Sequence, residues 1–138
     1  MTDHHDFNQE MVEQFRANGG RMDMGPVSIV LLTTTGAKTG EPRLKPLAAL
    51  QDGGRLYVIA SYAGAPHHPA WYHNLVVNPL VTVEHDGETY EAVAKVVADA
   101  ERDPLYAKLV DKVGQFGEYQ EKTERKIPMV ELVRVQAG

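Results

Sequence analysis

Two turn signatures constrain this chain more than anything else in it. Asp52-Gly53-Gly54 and Asp86-Gly87 each interrupt a pair of apolar runs. Such residues favour tight two-residue hairpins, whose central positions need positive φ. The first turn separates residues 42–50 from 55–61, and the second separates 80–84 from 89–97. An apolar run over 27–32 reads as a strand buried on both faces, and 127–135 supplies a last strand. Six short strands with tight turns in 138 residues predict a closed or partly closed antiparallel barrel, which leaves no exposed edges.

Helices interrupt this pattern, so the class is α+β, mainly β. Phe7, Met11, Val12 and Phe15 recur at helical spacing over residues 7–18, before Asn18-Gly19-Gly20 stops the helix. Residues 69–77 (PAWYHNLVV) lie between prolines and read as a second helix. Asp103-Pro104 reads as an N-cap and first-turn proline, with Leu105, Leu109 and Val113 as the buried stripe that follows. Residues 115–125 are amphipathic and read as a short helix or lid. The organisation is an N-terminal helical segment over 1–20 and a single barrel domain over 21–138.

Charge and composition narrow the partners. A net charge of −5 argues against nonspecific nucleic-acid binding, which needs a basic surface. No apolar run approaches a membrane helix, and the polar start MTDHHDFNQE has no signal-peptide pattern, so a cytoplasmic location is the expectation. With no cysteine, disulfides and thiolate sites are excluded.

Against that acidic background, TTTGAKTGEPRLKPL (33–47) gathers Lys38, Arg43 and Lys45 around a hydroxyl-rich turn. Gly36 and Gly40 allow a sharp bend that brings N–H groups near a ligand. Lys38 offers a point charge, and Arg43 a planar fork suited to carboxylate or phosphate. Thr39 and Pro46 belong to the same turn and returning strand. Two readings fit: an ordinary hairpin loop with surface lysines, or a cradle for a small anion. The spacing lacks the phosphate-loop consensus.

The segment ASYAGAPHHPAWYHNL (60–75) runs from a strand through Ser61 and Gly64 into a helix, offering small side chains at a helix start. Its alternative is a plain connection packed by Trp71 and Leu75. His67 and His68 are adjacent and have no third ligand at a known spacing, so no metal site is expected. Ser28 and Ser61 are the only serines, and neither sits in GxSxG. No carboxylate pair stands out for acid/base hydrolysis. If the chain is an enzyme, a cofactor carries its chemistry. Tyr119 is an amphipathic ring able to close over another ring and present a hydroxyl.

Together, LLTTTGAKTGEPRLKPL, ASYAGAPHHPAWYHNL with its following Asn78-Pro79, and TERKIPMVEL make the chain resemble the deazaflavin-dependent nitroreductase family, users of coenzyme F420. The resemblance runs from about Met11 to Val135. It implies a flavin-reductase-like split β-barrel of about six mostly antiparallel strands, with peripheral helices and F420 in an elongated groove. By position it implies cofactor contacts at Lys38, Thr39, Arg43, Lys45, Pro46, Ala60, Ser61, Tyr62, Gly64 and Trp71. It gives Ser61 and Tyr119 the places beside the reacting centre. The chain departs from the family at Tyr62, where members carry lysine, and at Val113 and Phe116, where several tyrosines occur.

The implied reaction is hydride transfer from reduced F420 to a quinone or nitroaromatic acceptor. Two alternatives stand beside it: an F420-sequestering protein without turnover, and an FMN-binding split-barrel reductase. Peripheral membrane contact through the first helix stays open at this point, as does the oligomeric state.

Overall fold

The computed structural model describes residues 4–135 except Pro26, with side chains from Gln9 onward apart from Met24 and Pro26. Its elements are α1 (His4–Ala17), β1 (Asp23–Met24), β2 (Val27–Thr35), β3 (Pro42–Asp52), β4 (Arg55–Ile59), a 3-10 turn (Tyr62–Gly64), α2 (Ala70–Val77), β5 (Leu80–His85), β6 (Glu88–Val96), α3 (Asp99–Lys112), α4 (Gln115–Glu121) and β7 (Met129–Arg134). The strands run in the order β1-β2-β3-β4-β7-β6-β5, and β5 returns to pair with β2. Every pairing is antiparallel, so six strands close a barrel, with β1 appended to β2.

Both hairpin turns form as the sequence predicts. Asp52 pairs with Arg55 across Gly53 (φ 59) and Gly54 (φ 79). His85 pairs with Glu88 across Asp86 (φ 51) and Gly87 (φ 80). Positive φ at both central residues matches the right-handed twist of the flanking strands. Closure itself is brief: β2 meets β5 only at Leu31↔Glu84, Leu32↔Val83 and Thr33↔Thr82. Below that point the edge of β2 is taken by β1, at Ser28 and Val27.

Strand alternation sorts the side chains into an interior and two outer cores. Val30, Leu32, Val58, Val83 and Val130 fill the barrel, and Trp71 and Leu75 of α2 plug one end. The outer face of β3, β4 and β7 carries Leu50, Tyr57, Ile59 and Met129 under Leu105, Leu109 and Phe116 of α3 and α4. Phe15 of α1 packs fully buried on Ile29 and Leu31. Thus β2 is covered on both faces, which explains its nearly unbroken apolar run. Phe7, counted in the same helical stripe, lies outside the described side chains.

The third helix begins earlier than Asp103-Pro104 implies. α3 starts at Asp99, with Ala98 extended before it and Asp99 and Glu101 as the acidic first turn. Pro104 therefore sits inside the helix, where it cannot bond the carbonyl of Ala100. Ala100 and Pro104 are both exposed, so water meets that carbonyl. Next to it, Arg102 is buried. Its Nε donates to the Ile127 carbonyl at 2.9 Å and its Nη2 to Gln120 Oε1 at 2.6 Å, with its guanidinium 4.0 Å above the Tyr106 ring. These contacts fix α4 and the start of β7 against α3.

Replacing Pro104 with Ala removes an interior helix proline. The expected gain is about 2 kcal/mol, from an interior cost of roughly 3 less about 1 for the looser unfolded chain. Urea unfolding measures it, and a variant no more stable than the parent contradicts the placement of Pro104 inside α3.

Candidate functional site

The site begins where β2 and β3 leave the barrel. Thr35 pairs with Pro42, and the Gly36 N–H donates to the Glu41 carbonyl at 2.8 Å, leaving a four-residue loop. Only Gly40 takes positive φ (73°). Gly36 is required for space instead: a Cβ there would lie 2.8 Å from Thr39 Oγ1 and 3.2 Å from the Glu41 carbonyl. Thr39 Oγ1 also accepts from the Glu41 N–H at 3.2 Å and holds the bend. Of the three preceding threonines, Thr34 is buried in β2 and accepts from Asn74 Nδ2 at 3.2 Å.

Asn74 ties this loop to α2. Its Oδ1 accepts from the Ala37 N–H at 3.0 Å while its amide nitrogen reaches Thr34. One buried side chain therefore fixes the loop over the plugged end of the barrel. Against it lies a pocket of about 480 Å³ lined by Lys38, Thr39, Arg43, Lys45, His73 and Trp71. Arg43 and Lys45 share a face of β3, two residues apart. Arg43 lies 3.6 Å from Glu41, and both are exposed. Among the described residues, no carboxylate pairs Lys38 or Lys45.

A second pocket of about 460 Å³ continues from the first, with Lys45, Ala70 and Trp71 common to both. Its walls are Pro46, Ser61, Tyr62, Val113, Phe116 and Tyr119. The outcome is one elongated groove, basic at one end and apolar with a few hydroxyls at the other. Tyr119 stands edge-on to Phe116, their ring centres 5.8 Å apart.

The floor of the second pocket is a strained turn. Ser61 is right-handed, but Tyr62 (φ 46), Ala63 (φ 53) and Gly64 (φ 80) follow in the left-handed region. Non-glycine residues there cost about 1–3 kcal/mol each unless their surroundings impose the conformation. Gly64 cannot carry a side chain: a Cβ would lie 2.8 Å from the Tyr119 carbonyl and 2.9 Å from Lys122 Cβ. Arg125 reaches the turn from the other side, and its Nη1 lies 2.9 Å from His68 Nδ1. His68 is thus half-buried and engaged.

The opposite end of the barrel has two hollows, of about 480 and 580 Å³, meeting at Gln51, His85 and Asp86. Their arginines are matched: Arg21 with Asp86, Arg134 with Glu88, Arg55 with Glu131. In the groove, by contrast, Lys38 and Lys45 have no carboxylate partner among the described residues, and Arg43 pairs only with Glu41 beside it.

A family model described as F420H(2)-dependent quinone reductase matches residues 6–134. The chain belongs to that family. An F420H(2)-dependent quinone reductase of Mycobacterium tuberculosis is 40% identical over 121 residues, covering 84% of this chain and 79% of the relative. The solved F420-H2 dependent reductase FDR-A is 37% identical with a TM-score of 0.68, covering 75% of this chain and 92% of that one. A haem storage protein of Vibrio cholerae, HutZ, shares only the fold, at 19% identity and TM-score 0.60 over 94% of this chain and 91% of that one. The family's split barrel is the architecture observed.

Of the residues that the sequence singles out, Lys38, Thr39, Arg43, Lys45, Pro46, Ser61, Tyr62, Trp71 and Tyr119 all line the groove. Ala60 faces the barrel interior and Gly64 packs against α4, so neither is a wall residue. Sequence reasoning misses Asn74, His73 and Arg125. The first two lie on a helix already identified, two and one residues beyond Tyr72; Arg125 lies in a motif already quoted.

Burial, then the Arg125 charge, then His73 hold the His68 pKa below its usual 6.5. Burial also lowers His85, against opposing pulls from Asp86, Asp23 and Glu88. The unfolded chain then takes up protons that the folded one resists. The stability associated with these neutral rings is therefore complete above about pH 6.5 and is lost as pH falls through their depressed folded values. Urea midpoints should drop on acidification below about pH 6.5, and less steeply in His68→Gln. An identical slope in that variant contradicts the assignment.

Proposed function

We propose that this chain reduces quinones with coenzyme F420, holding the cofactor's anionic tail at Lys38, Arg43 and Lys45 and its ring between Trp71, Tyr62 and Phe116. The observation that carries this reading is the single groove with Lys38 and Arg43 at one end and Pro46, Val113 and Phe116 at the other, joined at Lys45 and Trp71. A planar, partly apolar ring bearing an acidic tail fits that donor set. When bound, the reduced deazaflavin supplies a hydride from ring carbon 5.

The protein's own share is positioning and proton supply. Trp71 is almost fully buried, so it forms a rigid wall that fixes the depth of the ring. Phe116 and Val113 exclude water on the far side. Ser61 and Tyr119 offer the hydroxyls at the apolar end, placed to orient an acceptor oxygen and donate a proton to it. Quinone plus hydride plus proton gives hydroquinone, with no further redox partner. The same geometry admits nitroaromatics as incidental acceptors.

Fluorescence titration with F420, beside FMN, tests the cofactor. Anaerobic mixing with reduced F420 and menadione tests the reaction. Binding of F420 with recovery of its oxidised absorbance is expected. Tight binding without oxidation by any of several quinones would instead indicate sequestration. Lys38→Ala should weaken F420 binding by roughly 1.5–3 kcal/mol at low salt, the range for a charge-assisted hydrogen bond. Arg43→Ala should cost less, because Arg43 must first leave Glu41. Added salt should narrow both differences, and wild-type affinity in both variants contradicts the tail assignment.

A further inference from the structure

We propose that Arg125 and Pro128 form a clamp that sets the conformation of the turn at residues 61–64, making Arg125 a positioning residue for the reductase site. The strand pairing beside this turn lacks a backbone donor. At the end of the β4–β7 ladder the Ala60 N–H donates to the Pro128 carbonyl at 3.0 Å. In an antiparallel hydrogen-bonded pair the opposing residue returns an N–H to the first residue's carbonyl. Proline has none, so the Ala60 carbonyl, on a residue with no exposed surface, is left without its ladder partner.

Arg125 supplies the donor from three residues upstream. Its Nη1 reaches the Ala60 carbonyl at 3.1 Å, its Nη2 the Ser61 carbonyl at 2.8 Å, and its Nε the Ala65 carbonyl at 2.9 Å. One planar fork therefore grips both sides of the three left-handed residues, Tyr62, Ala63 and Gly64. The His68 Nδ1 contact completes the set. Among the described residues no carboxylate pairs with Arg125, so carbonyl dipoles and a neutral imidazole surround its charge. The clamp is itself anchored: Gln120 Nε2 donates to the Arg125 carbonyl at 2.8 Å, and Gln120 Oε1 accepts from the Ile127 N–H at 3.0 Å. A lysine cannot reproduce the grip, since three carbonyls at fixed spacing match a guanidinium and not a point charge.

The consequence is functional because Ser61, Tyr62 and Ala63 line the ring end of the groove. Pro128 diverts an arginine from ordinary surface pairing to the task of holding a strained turn open. Only the affinity arm of the test rests on the F420 reading; the conformational arm does not.

Amide hydrogen exchange on the unliganded protein and F420 titration, run on Arg125→Lys, Arg125→Ala and Arg125→Ala/Pro128→Ala, test the clamp. Both single variants should exchange faster at residues 61–65 while β5 and β6 stay protected. Both should raise the F420 Kd by about tenfold or more, the equivalent of one lost charge-assisted bond. In the double variant the new N–H returns a ladder bond to Ala60 and recovers thermal stability. The Ser61 and Ala65 carbonyls still lack the guanidinium, so exchange and Kd remain impaired. Wild-type exchange and affinity in Arg125→Lys, or their recovery in the double variant, would overturn the proposal. Should Arg125→Ala fail to fold, Arg125→Lys decides alone. If the wild type binds no F420, the reductase reading fails while the exchange contrast still decides the clamp.

Discussion

A ladder of three residue pairs between β2 and β5 closes this barrel, and the site depends on it. Because β2 is paired on both edges up to Thr33 and buried on both faces, it is held firmly just before the loop that Gly36 and Glu41 close. That end is also where α2 plugs the interior. Asn74 then bonds the loop and the strand at once, converting a mobile class of structure into a fixed cationic rim. Remove closure and the cations lose their relation to Trp71, which both halves of the groove share.

Charge distribution distinguishes the two ends of the barrel. The chain is acidic overall, yet Lys38 and Lys45 stand without a carboxylate partner among the described residues. At the far end, arginines and carboxylates cancel in pairs across the strands. Exposed pairs of that kind contribute little to stability, typically 0–1 kcal/mol. Asp23 and Asp52 line the same hollows, so carboxylates outnumber arginines there and disfavour an anion.

Much of this was legible in the sequence, for local reasons. The hairpins at Gly53-Gly54 and Asp86-Gly87 follow from a positive-φ requirement that a few residues reveal on their own. The basic loop was legible because its three cations stand within eight residues of one another. The unread parts are long-range. Asn74 looks like any polar residue in a short helix, because its partners lie 37 and 40 positions away. Arg125 looks like one more charge in a polar run, because the carbonyls it serves are 60–65 residues earlier. Asp103-Pro104 misled because it imitates a helix start inside a helix. A proline entering a strand, with an arginine three residues before it, was the available clue to the clamp.

The account turns on where the cofactor lies. A crystal structure of the protein soaked with F420 tests this most directly. The account predicts an acidic tail against Lys38, Arg43 and Lys45, with the ring resting beside Trp71 and the turn at 61–64. A ring lodged instead at the other mouth of the barrel, near His85 and Gln51, would contradict it.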